Sequence, residues 1–295
     1  MHPESASTWP APAKLNLFLQ ITGRRDDGYH LLQTVFQLLD WGDAISLAPR
    51  SDGRIQRLGG PPGVAEEDDL SVRSARLLQR ATGCAVGVDI TLDKRIPQGG
   101  GFGGGSSDAA TVLCALNALW GCELGEDALA ELAVQLGADV PVFVRGRTAW
   151  AEGVGESLRP LDLPGRWFVL VDAGVHLSTA ELFQAPELTR NAPPLTMADF
   201  ASDLVGRNAF DAPARARSPL LAELLHALRA RAAGGLTGTG GGCFAMVDTK
   251  EQAEALAGDL ARFGRCIVAK GVNRSPLHDR LEAWRAERSA APAGA

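Results

Sequence analysis

Apolar residues alternate with polar ones at Leu15, Leu17, Leu19 and Ile21, a period of two that predicts a half-buried strand closed by Gly23. The polar run RRDDGYH predicts a turn, and LQTVFQLLDWGDAISLAP a second extended segment, so the first fifth of the chain reads as β-rich after a short polar leader. The period becomes helical in DLSVRSARLLQRATG, where Leu70, Ala75, Leu77 and Leu78 share a side, Asp68 precedes the pattern and Gly83 ends it. GVDITLD returns to alternation, with Val88, Ile90 and Leu92 facing one way, and runs through Lys94 to Pro97 into a glycine-rich stretch. Beyond that, apolar positions 109, 112, 113, 116, 119 and 120 predict a buried helix stopped at Gly121. EDALAELAVQLG predicts another, and VPVFVRGRTAWAEGVGE reads as strand, turn and strand. From about Pro160 the pattern restarts with a strand (RWFVLVDAG), a proline-rich loop (NAPPLT) and a helix (PLLAELLHALRARA). A second glycine-rich turn (LTGTGGGCFAMVD), a helix (EQAEALAGDLARFG) and a last strand (CIVAKGV) follow. Strands and helices mix without strict βαβ repetition, which predicts an α+β chain of two domains, 10–160 and 161–285, with a disordered tail at 286–295.

Composition narrows the function. The 295 residues are 45% hydrophobic and 22% charged, ordinary for a globular protein, and the net charge of -6 argues against nucleic acid or an anionic membrane as partner. Five cysteines show neither CxxC nor a metal-ligand spacing and read as reduced, mostly packed thiols. No apolar run approaches the ~20 residues of a membrane-spanning helix, and there is no signal core, so the expected location is cytoplasmic.

The stretch from Pro97 to Ala110, PQGGGFGGGSSDAA, has six glycines among the seven residues Gly99 to Gly105. A strand, a glycine loop and a helix N-terminus together make an anion site, because backbone amides approach oxygens without a Cβ clash and the helix dipole favours negative charge. A polyphosphate suits it. Ser106 and Ser107 stand where an N-cap is expected, placed to cap the helix, bind phosphate or hold a metal ion. No lysine follows the glycines, which excludes the Walker A loop, and the GxGxxG formed by Gly99, Gly101 and Gly104 is a weak match in so glycine-rich a run.

Pro97 to Ala110 resembles the phosphate-binding motif of the GHMP kinases, in which a proline and a Gly-Leu-Gly-like element precede Gly-Ser-Ser and small residues. Four further blocks extend the resemblance in order from about Pro10 to His278: Pro12 to Asp43, Leu136 to Gly146, Ala151 to Glu156, and LTGTGGGCFA. Together they are similar to the members of that family that act on a cytidine-diphosphate-linked methylerythritol. The resemblance implies an N-terminal ribosomal-protein-S5-domain-2-like domain, a C-terminal ferredoxin-like domain and an active site between them. It implies ATP-dependent phosphorylation of the 2-hydroxyl of that alcohol in non-mevalonate isoprenoid synthesis, with ATP and Mg²⁺, by a monomer or weak homodimer.

The residues carried over by the resemblance are these. Lys14 and Asp139 are implied to meet, Asp139 as general base and Lys14 polarising the substrate hydroxyl. Pro97, Gly99, Gly100, Gly101, Phe102, Gly103, Gly104, Gly105, Ser106 and Ser107 form the ATP cradle, with Lys94 and Arg95 just upstream reaching toward the nucleotide and Ser107 as a metal ligand. Asn16, Tyr29 and His30 belong to the cytidine pocket, Tyr29 stacking on the base and Asn and His supplying edge hydrogen bonds. Thr179 and Phe183 lie on the substrate side, Phe183 as the second face of a cytosine sandwich. The turn at Val154 and the loop at Gly240 line the site through backbone amides. Phe102 stands where the family has leucine, and Asp69 and Asp108 where it has asparagine. Asp108 puts negative charge in a first helical turn, favourable to the dipole and repulsive toward a triphosphate.

Overall fold

The computed structural model describes residues 6–60, 63–200 and 202–290. Strands β1 (Ser7–Arg24) and β2 (His30–Arg50) form a long antiparallel hairpin around the predicted turn. β1 starts inside the segment read as a polar leader, pairing from Ser7 opposite Leu47. Its inward positions there are Trp9, Ala11 and Ala13, fully buried, so a strand built from small residues and prolines escapes a pattern based on branched ones. The register shifts between Pro12 and Lys14 and again between Asn16 and Phe18. Such irregularities re-aim side chains, here those of Lys14 and Asn16.

Strand β3 (Ile55–Arg57) runs parallel to β4 (Gly87–Asp93), which pairs with β2; β5 (Ala149–Glu152) and β6 (Ser157–Pro160) complete the first half. Helices α1 (Leu70–Thr82), α2 (Gly104–Leu119), α3 (Glu126–Val134) and α4 (Val140–Arg145) pack there around Trp9, Phe36, Val72, Leu113, Leu116 and Phe143. The cap of α1 is Asp69 rather than Asp68: its Oδ1 accepts from the Ser71 amide at 2.8 Å. VPVFV is helix α4, not a strand. An apolar run this short carries no usable period, and Pro141 in its first turn suits a helix start.

The second half contains β7 (Trp167–Asp172), α5 (Thr179–Gln184), α6 (Asp211–Arg217), α7 (Pro219–Arg229), β8 (Ala233–Leu236), β9 (Gly242–Val247), α8 (Lys250–Leu260) and β10 (Arg265–Val272). Its sheet order is β10-β7-β9-β8, which is 4-1-3-2 in chain order, the ferredoxin-like arrangement. Val169, Val171, Phe210, Leu224, Leu228 and Leu256 fill its core. Helix α9 (Pro276–Ala290) then returns to the first half, burying Leu277 and Leu281 and setting Trp284 against Trp9 at 6.0 Å. It therefore takes in residues 286–290 of the segment read as a disordered tail, because packing rather than local composition stabilises a helix end. Residues 291–295 lie outside the described ones. All five cysteines are free, and burial pushes the Cys114 and Cys243 thiols up to about 12.

Two features join the halves. β10 pairs with β2 at Gly271 opposite Leu39 and Val272 opposite Leu38, and a third core spans the junction through Leu15, Leu17, Phe18, Phe102, Phe168 and Phe244. Beside it the two glycine-rich loops lie backbone on backbone: the Gly242 amide donates to Gly100 O at 3.1 Å. A Cβ at Gly101 would overlap the Thr237 carbonyl, and one at Gly240 the Gly99 carbonyl. Gly101→Ala, which also forces a side chain onto a φ of +78°, is expected to cost about 2–4 kcal/mol, read by urea denaturation. A loss below about 0.5 kcal/mol would show that the loops separate freely.

Candidate active site

The glycine loop connects β4 to α2. Helix α2 begins at Gly104 with Gly103 as its cap, so Ser106 and Ser107 lie in its first turn and not at the N-cap. The first intrahelical bond beyond the cap runs from the Ser107 amide to Gly103 O at 2.8 Å, which leaves the amides of 104–106 facing outward for a ligand. Of these residues Gly104 and Gly105 line a cavity of about 390 Å³, together with Asp69, Ser71, Lys94, Pro97 and Asp108. The glycines divide into two sets. Gly100 and Gly101 face the second loop, whereas Cβ atoms at Gly104 and Gly105 would meet only side chains at 3.1 Å or more. A larger cavity, about 510 Å³ around Arg207, Asp211 and Arg229, holds none of the residues predicted for the site.

Lys14 and Asp139 meet: Nζ lies 3.1 Å from Asp139 Oδ2, with the lysine almost fully buried and the carboxylate 36% exposed. Backbone and side chain both fix the lysine. Its amide donates to Phe102 O at 3.0 Å, its ammonium donates to Asn16 Oδ1 at 2.5 Å and sits 5.4 Å from the Phe36 ring centre, and Gly103 leaves room for its stem. Asn16 in turn donates its side-chain amide to Thr34 Oγ1 at 2.8 Å, and its backbone amide to Thr237 Oγ1 at 2.9 Å. Asn16 thus orients Lys14 in this structure. Thr34 and Thr237 have no sequence signal of their own beyond lying in the matched blocks.

Of the residues that the resemblance assigns to the cytidine side, His30 and Phe183 stand in this structure without a gap between their rings. His30 and Phe183 do come together from the two halves, but they stack on one another at 4.7 Å, with Phe210 edge-on to Phe183 at 4.9 Å. Tyr29 is 65% exposed. His30 Nε2 is buried without a hydrogen-bond partner, and burial, then the charges of Arg24 and Arg190, lower its pKa. The Val154 amide donates to Glu156 Oε2 at 2.6 Å, so that turn satisfies its own donor. Gly240 backs the first glycine loop, and Thr179 ties to Thr239 through their hydroxyls at 2.8 Å. His176, not singled out by any motif, presses Nδ1 against Gly99, 2.9 Å from where a Cβ would stand.

Charge at the cavity of about 390 Å³ is organised around Lys94. Rather than pointing free into the cavity, its ammonium pairs with Asp43 Oδ2 and with Asp108 Oδ2. Burial works against that charge, but the carboxylates of Asp108 and Asp43 outweigh it and raise the lysine pKa. Burial, assisted by the charge of Asp43 and opposed by Lys94, pushes the Asp108 carboxyl up to about 7. Asp108 Oδ1 and Ser107 Oγ are both buried and unpartnered. Asp69, the other departure from the motif, caps α1 and pairs with Arg57 at 2.5 Å.

Models of the GHMP kinases N terminal domain and of the GHMP kinases C terminal domain match residues 69–147 and 197–266. The chain is a GHMP kinase by fold and by loops. A 4-diphosphocytidyl-2-C-methyl-D-erythritol kinase of Xanthomonas axonopodis pv. citri (strain 306) is 60% identical over 94% of each chain. One from Xanthomonas oryzae pv. oryzae (strain MAFF 311018) is 59% identical over 95% of each. A crystal structure of 4-(cytidine 5'-diphospho)-2C-methyl-D-erythritol kinase superposes with a TM-score of 0.79 at 36% identity, covering 90% of this chain and 99% of that one. The chain belongs to the 4-diphosphocytidyl-2-C-methyl-D-erythritol kinase family.

The Asp108 proton sets a pH dependence. The folded protein holds it to about pH 7, whereas an unfolded chain releases it near pH 4, so between those values the native state binds more protons and loses stability as pH rises. Asp108→Asn is expected to raise the melting temperature at pH 8 by about 3–6 °C, with the gain vanishing near pH 4. An equal shift at both pH values in scanning calorimetry would contradict this.

Proposed function

We propose that this chain transfers the γ-phosphoryl group of ATP to the 2-hydroxyl of 4-diphosphocytidyl-2-C-methyl-D-erythritol, giving the 2-phosphate and ADP, in the non-mevalonate route to isoprenoid precursors. The contact between Lys14 and Asp139 beside the glycine loop carries the reading: a proton-transfer pair fixed next to an anion cradle is what an alcohol kinase needs and a binding module does not. The names of the relatives supply the alcohol. Asp139, reachable from solvent, accepts the proton of the acceptor hydroxyl, while Lys14 polarises that hydroxyl from a wall that water does not enter. The amides of residues 104–106 hold the phosphates at the start of α2.

Mg²⁺, when bound, would supply positive charge that offsets the charge of the phosphates. The Ser107 hydroxyl, buried with no protein partner, suits a ligand to it. For the alcohol, we assign the cytidine end to the cleft at Tyr29, His30 and Phe183. Entry of the base there requires the His30 and Phe183 rings to part. We assign Thr179, Val154 and Gly240 to the same end of the site, as the family resemblance implies. No helix among the described residues is long and apolar enough to cross a membrane. We place the enzyme in the cytoplasm as a monomer or weak homodimer.

The test is ADP formation from ATP and Mg²⁺ with and without the cytidylated alcohol. Lys14→Met and Asp139→Asn are each expected to lower kcat by about 10³-fold while circular dichroism stays native. Asp139→Asn turnover within tenfold of the unmutated chain would remove Asp139 from the reacting centre. ATP binding without stimulation by the alcohol would overturn the substrate.

A further inference from the structure

Asp43 has no part in the chemistry above, yet its side chain is completely buried on β2 and fully engaged. Oδ1 accepts from the amides of Arg95 at 2.5 Å and Ile96 at 2.8 Å, the last residues before the glycine loop, and Oδ2 accepts from the Lys94 ammonium. That ammonium also donates at 2.5 Å to Oδ2 of Asp108, which lies just past the first turn of α2 and not within it as the sequence suggests. The loop therefore leaves β4 at one end of this chain of contacts and enters α2 at the other. Lys94, Gly104 and Asp108 all line the nucleotide-side cavity.

We propose that Asp43 is a positioning residue for ATP: through Lys94 it ties the strand end and the helix end of the glycine loop together and holds the outward amides of 104–106 at the spacing a triphosphate requires. The proposal rests on the kinase reading of the site. A buried carboxylate accepting two backbone amides and one ammonium from residues 94–96 pins that segment to β2, the second bond of the ammonium brings in α2, and charge-assisted hydrogen bonds are the strongest a side chain can supply. With its ammonium engaged by two carboxylates, Lys94 acts on the shape of the loop. The sequence expectation that it reaches the nucleotide is not needed for that role.

The experiment uses Asp43→Asn. Asparagine keeps an oxygen for the Arg95 and Ile96 amides but turns a donor toward the ammonium, opening the clamp while leaving the strand end tied. Binding of a non-hydrolysable ATP analogue with Mg²⁺ is measured by calorimetry, alongside steady-state kinetics for both substrates. Its Kd and the KM for ATP are expected to rise about tenfold, with KM for the alcohol and kcat at saturating ATP changing less than about twofold. Lys94→Met removes the clip from its other side and should weaken analogue binding by a similar factor, and it serves as the measurement should Asp43→Asn not fold. The double variant is expected to be no weaker than Lys94→Met alone, because both act through one contact. Analogue binding by Asp43→Asn within twofold of the unmutated chain, or a parallel rise in both KM values, overturns the clamp while leaving the kinase reading intact. Failure of the unmutated chain to bind the analogue overturns the kinase reading and the clamp with it.

Discussion

The structure depends on two glycine-rich backbones lying against each other with no side chains between them. Gly100 and Gly101 on one loop face Thr237, Gly240 and Gly242 on the other. Their contact brings Phe102 into the junction core and, through the Phe102 carbonyl, fixes where the backbone of Lys14 sits. A methyl group on either loop would spread the junction by more than a hydrogen bond tolerates. The density of glycine before α2 thus has two causes: one set permits the contact between the halves, and the other leaves backbone amides open toward the cavity.

Both lysines at the site illustrate how a protein keeps a positive charge in an apolar wall. Burial disfavours an ammonium unless carboxylates or amide oxygens surround it. Lys14 has Asp139, the Asn16 oxygen and the face of Phe36; Lys94 has Asp43 and Asp108. The arrangements differ in openness. Asp139 remains partly exposed, so a substrate can reach its carboxylate, whereas Asp43 is sealed, which suits a group that holds chain segments rather than exchanges protons.

How much of this was legible in the sequence depended on whether the signal was local. The alternation at Leu15 to Ile21, the helix ended by Gly83 and the uncharged helix after the glycine run all carry their period within a dozen residues, and all are present. VPVFV was misread because five apolar residues have no period to read, and the strand through Trp9 to Ala13 because small residues and prolines mask one. The meeting of Lys14 with Asp139 came from the family resemblance alone, since nothing in the spacing of two residues 125 positions apart states that they touch. The Asp43 contacts and the stacking of His30 on Phe183 depend on side-chain directions fixed only by tertiary packing. The same holds for the division of the glycines.

The hydrogen bond from the Asn16 amide to the Thr237 hydroxyl spans 221 residues of sequence. Asn16 is what holds the Lys14 ammonium from one side, and the chain that backs Gly99 to Gly101 is not made until Gly242 is added. An emerging polypeptide can therefore form the β1–β2 hairpin and its helices early, from contacts local to the first half, while the setting of Lys14 and Asn16 waits for the penultimate strand pair. The shape of the first glycine loop is a property of the nearly finished chain: no N-terminal fragment that stops short of Gly242 contains the surface against which that loop packs.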